Sequence, residues 1–190
     1  ELNNHLVSIN DLSFLPEPHL LQNGLNDIVD YSEKNRDLIK SLIEISDLML
    51  YDYDEVSSQI KDALNNDNPW VRYWGLIVCS TFGDLALENN EKINFIFEND
   101  SENLVRMRAA EFMLLNNIDI SNSKINSLLV RSNFEAEANL MLNTLANLKT
   151  KDSNYKLKLG KDVFPDDWFP PFRNENALVN RRMNYLTNNE

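Results

Sequence analysis

In RDLIKSLIEISDLML, residues 36–50, the apolar positions Leu38, Leu42, Ile45 and Met49 recur three and four residues apart, the spacing of one helical face. DEVSSQIKDALNN repeats that period with Val56, Ile60, Ala63 and Leu64, behind an N-cap candidate at Asp54. The next element differs in kind. From Pro69 to Gly83 the residues Trp70, Val71, Trp74, Ile77, Val78 and Phe82 wrap more than one face, the pattern of a helix buried on several sides. Pro69 suits a first helical turn, Asn68 or Asp67 can cap it, and Gly83 suits a left-handed C-terminal position. No stretch alternates cleanly enough to predict a strand.

That buried helix is written twice. DNPWVRYWGLIVCSTFGD (67–84) and DSENLVRMRAAEFMLLNN (100–117) share an Asp-led polar turn, a Val-Arg pair and a long apolar run. Val71 and Val105 stand 34 residues apart, within the range of two-helix solenoid repeats. Between the copies LALENNEKINFIFE predicts an outer helix, ISNSKINSLLVRS predicts another, and FEAEANLMLNTLANL (134–148) a third inner one. Residues 18–49 carry two further helical patterns, suited to capping the first repeat. With only four glycines and six prolines, the middle of the chain is built from few, long elements.

The Asp-led turn followed by Val-Arg and an Ala-rich inner helix resembles HEAT-like repeats. The resemblance implies that Asp67, Arg72, Asp100 and Arg106 form a ladder of side chains along the stack. The expected fold is all-α: a right-handed, HEAT-like or armadillo-type α-α superhelix of about seven to nine helices, ending in an irregular aromatic C-terminal tail. The expected divisions are a junction at 1–17, the repeats at 18–148, and a tail with a terminal helix at 149–190.

Charge narrows the partners. Eighteen basic against thirty acidic residues give a net charge of −12, which disfavours nucleic acid and anionic membranes, since both are bound by Lys and Arg. It also argues against an enzyme of the DNA-alkylation-repair glycosylase kind, which is built on helical repeats. No apolar run approaches the ~20 residues that span a bilayer. A lone cysteine leaves neither an internal disulfide nor a multi-cysteine zinc site.

NDLSFLPE (10–17), taken with NNDNPWVRYWGLIVCSTFGD and ENLVRMRAAEFM, is similar to the carboxyl-terminal region of bacterial sulfatases of the alkaline-phosphatase-like, formylglycine type. There a D-x-x-F-x-P-E segment ends the catalytic part and a HEAT-like domain follows. The resemblance covers about residues 10–148 and implies a non-catalytic accessory domain. It would pack on its own upstream catalytic domain, shaping the substrate pocket or an oligomer interface. It also implies a periplasmic or secreted location. The start at Glu1 rather than Met fits an upstream part. Sulfatases of this type need a C/S-x-P-x-R motif, whereas Cys79 sits in CSTFG without the Pro or Arg. No catalytic residue, cofactor or metal is therefore expected in this chain, and calcium only in the catalytic domain. The alternative is a free-standing HEAT-like scaffold that binds a protein partner.

Other candidates read more simply. Cys79, on an apolar helix without a neighbouring base, is expected to be a core thiol. His5 and His19 have no partner at metal or triad spacing. The acids of YDYDE (51–55) suit a helix N-terminus better than a calcium loop. Trp70, Tyr73 and Trp74 form a possible interaction surface, although repeat packing also accounts for them. Trp168, Phe169 and Phe172, in VFPDDWFPPF, are read as a strap over the solenoid or a contact to a missing domain or second subunit.

Overall fold

The computed structural model describes residues 25–130 and 135–150, and over them the chain is mostly helical with no strand. The α-helices are α1 (Leu25–Lys34), α2 (Arg36–Asp47), α3 (Tyr53–Leu64), α4 (Pro69–Phe82), α5 (Asn90–Asn99), α6 (Asn103–Leu115), α7 (Asn122–Val130) and α8 (Glu135–Thr150). Two 3-10 segments, Leu48–Leu50 and Gly83–Asn89, link α2 to α3 and α4 to α5.

The even-numbered helices follow one another through the molecule: α4 packs on α2 and on α6, and α6 packs on α8. Of the odd-numbered ones, α1 lies against α2, α3 against α4, and both α5 and α7 against α6. Burial explains the two apolar patterns seen in the sequence. α3 hides one stripe, Tyr53, Val56, Ile60, Ala63 and Leu64. α4 is enclosed by neighbours and buries Trp70, Val71, Tyr73, Trp74, Leu76, Val78 and Cys79, while α6 buries Leu104, Val105, Met107, Ala109, Ala110, Phe112 and Met113. The buried side chains form one cluster from Leu42 to Leu148.

Local chemistry sets the limits of α4. The Asn68 side chain accepts a hydrogen bond from the Trp70 N–H at 2.9 Å, and Pro69 occupies the first turn, where no donor is missed. At the far end Gly83 has φ of 57°, a left-handed value that ends the helix without a Cβ penalty. α6 has no such glycine, and Asn117 takes the positive φ after it. Gly75 lies where α3 crosses α4, and a Cβ there would stand 3.0 Å from that of Ala63.

Two sequence expectations change. α3 begins at Tyr53 with Asp52 in the N-cap position, so Asp54 is a first-turn residue, where a negative charge complements the helix dipole. The outer helix expected over 85–98 is broken: residues 83–89 wind as a 3-10 segment and α5 starts at Asn90. Buried Asn89 marks the break, its amide donating to the Ala86 carbonyl and to the Tyr53 hydroxyl. The junction at 1–17, with His5, as well as His19 and the tail from residue 151 lie outside the described residues. Among the described residues, no helix is long and apolar enough to cross a membrane.

Candidate interaction surface

On one edge, at the amino-terminal ends of α4 and α6, lie the short turns that precede these helices, and Arg72 joins them. Its Nε and Nη2 donate to the two carboxylate oxygens of Asp100 at 2.7 and 2.9 Å, and its Nη1 donates to the Asn66 and Asp67 carbonyls, both at 2.8 Å. This is a bidentate, charge-assisted contact between successive turns, with the Asp100 side chain only 4% exposed. Asp100 also accepts from the Glu102 N–H, closing its own turn. Burial, and then the negative charge of Asp100, push the Glu102 carboxyl above its ordinary pKa. The other two ladder residues take different places. Asp67 contributes its backbone carbonyl while being exposed, and Arg106 donates from Nε to the Phe97 carbonyl at 2.7 Å.

The aromatic residues proposed as a platform face inward. Trp70 and Tyr73 are fully buried and Trp74 is 8% exposed, with Tyr73 edge-on to both indoles at centroid separations of 5.5 and 6.5 Å. These three are packing residues of α4, not a docking surface, because helices enclose α4 on several sides. Tyr73 has a second role as the acceptor for Arg108 Nη2 at 2.9 Å, while Arg108 Nη1 donates to Glu111 at 2.6 Å. Burial works against the Arg108 charge, but Tyr73 and Glu111 more than offset it. Trp168, Phe169 and Phe172 lie outside the described residues. Cys79 is fully buried, and burial pushes its thiol pKa up to about 12, so it is protonated and shielded.

The opposite edge, at the carboxyl-terminal end of α4, is apolar and open. Thr81 donates to the Met49 sulfur at 3.3 Å, and the Tyr53 ring meets Phe82 edge-on at 5.3 Å, so both 3-10 segments gather at this end. The Tyr53 hydroxyl donates to Glu88 at 2.7 Å, and Lys61 pairs with the same carboxylate at 3.2 Å. The Tyr53 hydrogen bond, then Lys61, hold the Glu88 carboxyl below its ordinary pKa. Around this clamp Leu50 is 80% exposed, Leu85 62%, Tyr51 57% and Leu87 40%. Asp52, Asp54, Glu55, Asp84, Glu88 and Glu91 are exposed on the same stretches of chain, and neither 47–55 nor 84–91 contains a Lys or Arg.

No family model, no curated protein and no solved structure matches this chain. Its chemistry must therefore be read from its own surface. Among the described residues no group of His, Cys, Asp and Glu converges as a metal site. The sequence does not reveal the open edge, because an outer helix over 85–98 accounts for Leu85 and Leu87. One signal was present: Leu50 falls off the face formed by Leu38, Leu42, Ile45 and Met49.

Proposed function

We propose that the chain is a non-catalytic, HEAT-like helical-repeat scaffold whose task is to dock a protein partner. The observation that carries this reading is the Arg72–Asp100 pair, which joins equivalent turns of two units spaced 34 residues apart while their buried helices α4 and α6 pack directly on each other. Repetition of this kind builds an extended surface from neighbour contacts, and such surfaces serve recognition. The resemblance to sulfatase carboxyl-terminal regions is a narrower form of the same reading, in which the partner is a sulfatase catalytic domain and the location periplasmic or secreted.

The test places a photo-cross-linking amino acid singly at exposed positions around the full chain in its native cells, including Leu50, Leu85, Asp62, Asn94 and Phe95. A scaffold yields one discrete protein adduct from a contiguous set of positions. Absence of a discrete adduct at every position overturns the reading. A sulfatase catalytic domain in the adduct, or encoded upstream in the same chain, supports the narrower form. Sulfate released from aryl or sugar sulfates by this chain alone refutes the non-catalytic assignment.

A further inference from the structure

Resting on the scaffold reading, we propose that the edge formed by Leu48–Tyr51 and Gly83–Asn89 docks a cationic amphipathic segment of the partner protein. Leu50, Tyr51 and Leu85 are large apolar side chains at least half exposed, carried by two 3-10 segments and their flanks that both touch α4, the first through Met49 and Thr81 near its carboxyl-terminal end. Exposed apolar side chains on neighbouring segments are an interaction feature when they have a complementary occupant. Charge specifies the occupant. Asp52, Asp54, Glu55, Asp84 and Glu91 are exposed on the same two stretches of chain and their flanks, and of the nearby cations Lys61 is engaged by Glu88 while Lys92 stands over the Phe95 ring.

A second copy of this chain would set one ring of carboxylates against another, and nucleic acid or an anionic lipid surface would meet the same repulsion. A helix with apolar residues at i, i+3, i+4 and i+7, flanked by Lys or Arg, satisfies both the cluster and its rim. The carboxylates would speed encounter and the apolar contacts would hold the complex, so binding weakens with salt and fails when the apolar residues are lost.

The experiment titrates the full chain against three labelled 18-residue peptides by fluorescence anisotropy. One is a Leu/Lys amphipathic helix, one has the same Leu pattern with Glu for Lys, and one is a scramble of the first. The amphipathic cationic peptide binds at least tenfold more tightly than either control. The double variant Leu50→Ser/Leu85→Ser weakens it at least tenfold, and Asp54→Asn/Asp84→Asn weakens it several-fold with a shallower salt dependence. Unchanged far-UV circular dichroism shows that the variants remain folded. Equal binding of the scramble, or no effect of the Leu variants, overturns the proposal. The cross-linking scan separates this outcome from failure of the scaffold reading. A partner captured only at Asp62, Asn94 or Phe95 leaves the scaffold standing and removes this edge. A segment cross-linked at Leu50 or Leu85 must contain basic residues flanking apolar ones, and an acidic segment overturns the proposal.

Discussion

Replacing Asp100 with Ala removes one side of the contact that joins the two turns. The carboxylate receives two charge-assisted hydrogen bonds from Arg72 and one from the Glu102 N–H. Breaking a buried pair from one side costs about 3–5 kcal/mol, because the other charge is left stranded. Here the cost falls at the lower end, about 3 kcal/mol, since Arg72 keeps two backbone carbonyls and its side chain is 14% exposed. At ~2–4 °C per kcal/mol for a chain of this size, the melting temperature drops by roughly 6–12 °C. Urea denaturation followed by tryptophan fluorescence reports on α4 directly, through Trp70 and Trp74. A double-mutant cycle with Arg72→Met should return a coupling energy of about 2 kcal/mol. Asp100→Ala should also lower the Glu102 pKa, because a neighbouring negative charge is gone. A cost below ~1 kcal/mol, or a coupling near zero, would refute the claim that this contact holds the two turns together.

Three more outcomes follow from the packing and the titrating groups. Gly75→Val forces α3 and α4 apart, since even a Cβ meets Ala63 at 3.0 Å, and should cost about 2–3 kcal/mol in the same urea assay. Cys79 should resist thiol reagents until the chain unfolds. Its folded pKa of about 12 exceeds the unfolded value, so its contribution is intact below about pH 9 and is lost between there and pH 12. Cys79 should contribute a fall of about 1.4 kcal/mol per pH unit across that window, beside the fall contributed above pH 10 by the Tyr53 hydroxyl, which burial and Glu88 also raise, and Cys79→Ala should lessen the slope by that amount; an unchanged slope assigns the loss elsewhere. Tyr53→Phe should return the Glu88 pKa toward the ordinary carboxylate range in a carboxyl NMR titration, and an unmoved Glu88 would show that Tyr53 does not hold it.

Helices announced themselves where burial followed a single period. The Leu38 to Met49 stripe and the Asn68, Pro69 and Gly83 signals located α2 and α4, because local capping and one-sided packing leave a record in spacing. The break before α5 was less legible. It depends on Asn89 meeting Tyr53, a contact across 36 positions that no local pattern carries. The same limit hides which residues form the surface. Trp70 and Trp74 look like a binding pair in sequence, yet the packing of α2, α3 and α6 on α4 decides that they are interior. Leu50 and Leu85 lie 35 positions apart, and only the path of the chain brings their two segments to the same end of a helix.

The two edges of the stack are fastened differently. On one side Arg72 grips oxygens from two successive turns in a largely dry site, while on the other α3 is tied to the next unit through Glu88, which faces water and ions. Salt therefore loosens the two fastenings unequally: Lys61 and Glu88 are half exposed and screened by ions, whereas the Asp100 side chain is 4% exposed and its bonds to Arg72 are shielded.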